Sequence, residues 1–203
     1  ASEQLATTIL HNYEFIGELS LNGELRRSEG ILPAAHHCWQ QDRVLITARQ
    51  NLAELTLLPT HSYLGAETLL QVCAHLTQTR TLESVQAISP QDQDQCTHQS
   101  MADVIGQTAA KRALTIAAAG HHHVLMIGSP GSGKTMLANR FQSLLQPMDT
   151  AETIETASLY SIANSHYGKH PNHIRPFRSP HHTVSPIGLA GGGAYPRPGE
   201  VSL

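Results

Sequence analysis

The sequence predicts an α/β chain made of two partial domains joined by a polar linker, and three observations predict it. Short apolar runs of strand type and stretches of helical period follow one another through residues 1–76. Residues 77–100 break that pattern, and Gln86 to Ser100 is rich in Gln, Asp and Ser. From Met101 the order becomes helix, continuous apolar run, glycine-rich turn, helix, which is how a doubly wound parallel sheet begins.

The elements can be justified in order. Tyr13 to Leu21 has strand character, Asn22-Gly23 is a strong hairpin signal, and Glu24 to Arg27 returns as the partner strand. A helical stretch after Gly30 carries Ala34, Ala35 and Trp39. Val44-Leu45-Ile46 reads as a short buried strand. Asn51 is placed to cap a helix bearing Leu52, Leu55 and Leu58, which Pro59 stops. A helix from Glu67 puts Leu69, Leu70, Cys73 and Leu76 near one face. In the second part, Ala110, Ala113, Leu114 and Ala117 share one side of a helix that Gly120 ends. Val124 to Ile127 is an apolar run of the kind covered on both faces of a parallel sheet. The helix after the glycine-rich turn presents Leu137, Phe141 and Leu144.

Composition narrows the classes. Of 203 residues, 40% are apolar and only 4% aromatic, so a real but mostly aliphatic core can form. The formal charge of -3 argues neither for nor against a nucleic-acid partner. Cys38, Cys73 and Cys96 are odd in number and widely spaced, which fits reduced thiols in a cytoplasmic setting better than a disulfide framework. No apolar run has the length of a membrane helix, and the first residues have no signal-peptide pattern. The chain opens without Met and stops at Leu203, and both ends are expected to be cut.

The turn Gly128-Ser129-Pro130-Gly131-Ser132-Gly133-Lys134-Thr135 matches G-x-x-x-x-G-K-[ST] in full. Glycines allow backbone conformations that turn successive N–H groups inward to make an anion site, and the helix that follows adds the partial positive charge of its N-terminus. Lys134 is the catalytic candidate, reaching the β- and γ-phosphates of ATP, and Thr135 offers its hydroxyl to Mg2+. Downstream acids are Asp149, Glu152, Glu155 and Glu200, and none ends an apolar run of four or more residues, so no second acidic motif is found.

From Met101 onward the chain carries Asp103-Val104-Ile105-Gly106-Gln107, Ala110-Lys111-Arg112-Ala113-Leu114, Ile116 to Gly120 and the P-loop. With these phrases it resembles the AAA+ ATPases related to the magnesium-chelatase I subunit, and within them the ComM/YifB competence proteins. The resemblance also rests on Arg175-Pro176-Phe177-Arg178-Ser179-Pro180-His181-His182-Thr183 and Gly191-Gly192-Gly193 through Leu203. Residues 13–76 resemble the C-terminal half of the Lon-protease-like domain (ribosomal S5 domain 2 type) that precedes the motor. The matching phrases are Gly17 to Arg26 and Gly30 to Ala35, although no lysine occurs before Lys111. The resemblance thus implies a partial Lon-like domain over 1–76, a linker over 77–100 and the first half of a AAA+ domain over 101–203. It implies a homo-oligomeric, hexameric ring that hydrolyses ATP to migrate DNA branches in natural transformation. A chelatase-type motor acting on a protein partner is the alternative. Val104 and Ile105 would pack on adenine with Gly106 close by. Walker B, sensors and arginine finger would lie beyond Leu203, so this chain alone is expected to hydrolyse ATP negligibly.

Residues 156–199 contain no carboxylate but hold Lys169, Arg175, Arg178, Arg197 and five histidines, a stretch to which DNA would be drawn. Its aromatic content is thin, with Tyr167, Phe177 and Tyr195. The clusters His36-His37, His121-His122-His123 and His181-His182 have no structural-zinc spacing. Core packing is expected for Cys38 and Trp39.

Overall fold

The computed structural model describes residues 7–56, 58, 63–85, 100–163, 173–194 and 196–203. The first half runs α1 (Thr7–Leu10), β1 (Tyr13–Ile16), β2 (Glu18–Leu19), β3 (Leu25–Arg26), α2 (Ile31–Gln40), β4 (Val44–Ala48), α3 (Leu52–Leu55), β5 (Tyr63–Ala66), α4 (Leu69–Leu76) and β6 (Glu83–Val85). One sheet has the order β1-β4-β5-β6, parallel at its first two pairings and antiparallel at the last. The mixed α/β class therefore holds, with a sheet rich in parallel pairs.

β4 sits inside the sheet, and its apolar run supplies both faces because side chains alternate with period 2. Leu45 faces a core with Ile31, Leu32, Leu55 and Tyr63. Ile46 faces a second core with Leu64, Val72 and Leu76. The expected strand over Tyr13 to Leu21 is divided at Gly17. Tyr13–Ile16 joins the parallel sheet, while Glu18–Leu19 pairs antiparallel with Leu25–Arg26. The hairpin turns at Gly23 (φ 84), whose N–H donates to the Ser20 carbonyl at 3.0 Å.

Three sequence expectations are corrected by packing. Asn51 does not cap α3: its side chain is fully buried and holds the backbone of Ser28 instead, accepting from its N–H at 3.1 Å and donating to its carbonyl at 2.8 Å. Helix α4 buries Val72 and Leu76, not the Leu69-Leu70 pair, and Leu70 is 78% exposed. Adjacent residues on a helix lie about 100° apart, so Leu69 and Leu70 could not both face the core with Leu76. Within the stretch expected to be linker, Glu83–Val85 adds the edge strand β6, and residues 86–99 lie outside the described residues.

The second half runs α5 (Thr108–Ala119), α6 (Lys134–Phe141), α7 (Thr150–Ile162) and α8 (Pro186–Ala190). Before α5, a 3-10 turn over Met101–Asp103 is closed by a reciprocal capping box between Ser100 and Asp103. Met101, Val104, Leu114 and Leu137 form a small core, with Met126, Phe141 and Leu144 packed against it. Helix α7 has its own capping box, Asp149 with Glu152. Its Ile154, Ala157 and Tyr160 join Ile31, Leu32 and Ala35 of α2, so a helix of the second half closes the core of the first.

Val124 to Ile127 differs most from expectation. No strand pairs with it among the described residues, and Leu125 and Ile127 are 84% and 88% exposed. An apolar run becomes a strand only where neighbouring strands accept its backbone hydrogen bonds, and none is adjacent among the described residues.

Candidate functional site

The glycine-rich turn connects the 124–127 segment to α6. Gly131 (φ 79) and Gly133 (φ 84) take left-handed backbone conformations, and Gly133 is the residue from which α6 starts. Such values disfavour any residue with a Cβ, which is the physical need for glycine at these places. The N–H groups of the first helical turn have no acceptors within the helix and face the loop. Leu137 anchors the helix by burial in the small core, and its N–H donates to the Gly133 carbonyl at 2.9 Å.

Lys134 folds back over the turn. Its Nζ donates to the carbonyls of Gly128 and Ser129, both at 2.8 Å, and to Ser132 Oγ at 3.3 Å. The ammonium thus sits inside the curve of the loop, where a polyphosphate would meet it. Ser132 N–H closes the turn on the Ser129 carbonyl at 3.3 Å. Thr135 is exposed on the first turn of α6, next to Lys134. Pro130 lies at the exposed tip and fixes one backbone dihedral there.

Sequence analysis missed one residue of this site. Gln107, in a left-handed conformation (φ 51), sends Nε2 to the Ser132 carbonyl at 3.2 Å. A Cβ on Gly133 would come within 2.9 Å of that Nε2. Gln107 therefore ties the turn before α5 to the phosphate loop. Its position directly after Gly106 was the available signal. Of the residues expected near adenine, Val104 is 2% exposed and belongs to the core beneath, whereas Ile105 is 96% exposed and Gly106 (φ 69) is open.

The stretch read as free of acids is not free of them in space. Arg175 makes a two-pronged ion pair with Glu152 at 2.9 and 2.7 Å, and its Nε donates to the Gln146 carbonyl. Arg178 forms a similar pair with Glu200, one arm at 2.7 Å. Hydrogen bonds from Arg175 hold the Glu152 carboxyl below its usual range, and those from Arg178 do the same for Glu200. Arg197 is exposed, and among the described residues only its backbone is engaged, with Gly192. Lys169, Tyr167, Tyr195 and Cys96 lie outside the described residues. Among the described residues no group of three or more His, Cys, Asp or Glu could hold a metal ion, and no helix is long and apolar enough to cross a membrane.

The donor set fits a magnesium-bound nucleoside triphosphate: a lysine ammonium, a helix N-terminus and a neighbouring threonine hydroxyl, on a loop whose glycines leave the backbone open. These features define a P-loop protein. Residues 100–203 match the family model described as Magnesium chelatase, subunit ChlI. The chain belongs to that family of AAA+ proteins, on its ComM/YifB branch. Competence protein ComM of Haemophilus influenzae is 43% identical over 206 residues, matching 100% of this chain and 40% of its own length. Uncharacterized protein YifB of Escherichia coli is 42% identical over 204 residues, with the same coverage of 100% and 40%. The archaeal Lon protease of Halobacterium salinarum is 55% identical over 42 residues, which is 21% of this chain and 6% of its own. The chain spans 40% of the length of the first two relatives.

Proposed function

We propose that this chain is the ATP-binding portion of a AAA+ motor that works as a homo-oligomeric ring, a hexamer, on branched DNA in the cytoplasm. The observation that carries the reading is the turn Gly128–Thr135, folded onto Lys134 at the start of α6. The backbone N–H groups from Gly131 to Thr135 would hold the phosphates, and Lys134 would exchange its carbonyl partners for β- and γ-phosphate oxygens. Thr135 would hold Mg2+, which when bound would screen phosphate charge. Ile105 and Gly106 would lie against the adenine, with Val104 supporting them from the core. Gln107 would keep this adenine segment and the phosphate loop at a fixed distance.

We assign residues 1–76 to the second half of a Lon-like domain and residues 101–203 to the first half of the motor domain. The hairpin at Asn22-Gly23 and the helix starting at Ile31 support the first assignment. For DNA, the internal pairing of Arg175 and Arg178 moves the expected contact to Arg197, together with Lys169. The test is ATP hydrolysis by a full-length protein that includes these residues, with and without a four-way DNA junction. Stimulation by the junction, lost with Lys134→Ala, supports the motor reading. Hydrolysis indifferent to DNA would overturn the DNA part and leave the ATP part standing.

A further inference from the structure

Helices α2 and α7 do not meet along their whole length. Between them lies a cleft of about 520 Å3, within the range of small-ligand sites. Pro33, His36 and Trp39 line one wall, and Ile154, Glu155 and Ser158 line the other. Trp39 is 37% exposed, and the His36 ring lies 5.3 Å from it, tilted by 46°. The walls are mostly apolar, yet Glu155 stands exposed at the cleft with no ion-pair partner among the described residues. None of these residues belongs to the phosphate loop.

We propose that this cleft is a binding site for a planar organic cation with an apolar stem, a guanidinium or amidinium. An indole attracts a flat cation to its face, and guanidinium stacks there while its edge stays free for hydrogen bonds. Glu155 supplies the complementary charge, and a carboxylate takes such an edge through two parallel hydrogen bonds. Pro33 and Ile154 cover the stem. A compact ammonium would be served less well, because it gives up more hydration and cannot lie flat on the ring. The same chemistry is carried by a free alkylguanidine or by an arginine side chain on a polypeptide.

Trp39 is the sole tryptophan of the chain, so its emission reports the surroundings of this one ring. The experiment titrates the chain with benzamidine, its neutral isostere benzamide, agmatine and the capped peptide acetyl-Gly-Arg-Gly-amide, in wild type and Glu155→Gln. Expected is a saturable emission change with benzamidine that weakens roughly fivefold in Glu155→Gln, the size of one partly solvated ion pair. Benzamide should bind more weakly than benzamidine in wild type and equally well in both proteins. Tighter binding of agmatine assigns the site to a free ligand, and tighter binding of the peptide assigns it to a polypeptide. Non-saturating quenching by every cation overturns the proposal, as does benzamide binding as well as benzamidine. Circular dichroism of Glu155→Gln, an exposed position, checks that the fold is intact.

Discussion

Gln107 offers a sharp test of how the phosphate loop is held. It occupies a left-handed conformation that costs an L-residue about 1–2 kcal/mol, and its side chain makes one solvent-exposed hydrogen bond to the Ser132 carbonyl. A hydrogen bond of this kind contributes about 0.5–1.5 kcal/mol. If that energy keeps the loop in its binding shape, removing it should weaken nucleotide affinity about two- to tenfold. Two substitutions separate affinity from stability. Gln107→Ala loses the hydrogen bond and keeps the backbone cost. Gln107→Gly loses the bond but relieves that cost, recovering up to about 1 kcal/mol of stability. Titration calorimetry with Mg-ATP should therefore show both variants binding more weakly than wild type, while thermal unfolding ranks Gln107→Gly above Gln107→Ala. Affinities within twofold of wild type for both variants would refute the idea that Gln107 positions the loop.

Other consequences follow from the same contacts. Asn51→Ala leaves a buried N–H and a buried carbonyl of Ser28 without partners, so it should cost about 2–5 kcal/mol in urea unfolding, whereas Ser28→Ala, which keeps that backbone pair, should cost under about 1 kcal/mol. The carboxyls of Glu152 and Glu200 are held low by Arg175 and Arg178, so the stability they add is present above the ordinary carboxylate value near pH ~4.3 and is lost as pH falls through the lowered folded value. The stability gap between wild type and the double variant Arg175→Gln/Arg178→Gln should accordingly close on acidification from pH 6 to 3, and a gap that ignores pH would contradict the pairing. Arg197→Gln should lower the salt dependence of DNA binding by about one unit of log–log slope, whereas Arg175→Gln, whose charge Glu152 already offsets, should leave the slope unchanged.

Much of the fold was legible because local rules agreed with tertiary packing. The hairpin at Asn22-Gly23, the buried run Val44-Leu45-Ile46 and the stop at Gly120 each carry a backbone reason within a few residues. The shape of the turn Gly128–Thr135 was legible for the same reason, since its glycines and the start of α6 are adjacent in the chain. What sequence could not give depended on distant partners. Asn51 looks like a helix cap until Ser28, 23 residues earlier, takes both its hydrogen-bonding groups. The stretch 156–199 looks cationic until Glu152 and Glu200, which flank it in sequence, fold back onto Arg175 and Arg178. Helix α7 carried a readable signature in Asp149 and Glu152, but nothing local shows that its apolar side belongs on α2. The run Val124 to Ile127 failed in the opposite sense: its composition suits a covered strand, and a strand needs neighbours that composition cannot supply.

The central claim is that Gly128–Thr135 binds Mg-ATP through Lys134. Thermal unfolding of the chain with and without Mg-ATP, beside Lys134→Ala, tests it most directly. Ligand at about 100 times its dissociation constant stabilises the folded state by about 2.7 kcal/mol. For a chain of this size that is a rise in midpoint of roughly 5–10 °C. The account predicts this rise in wild type and its loss in Lys134→Ala. A cooperative transition that Mg-ATP leaves unmoved, or an equal rise in both proteins, would contradict it.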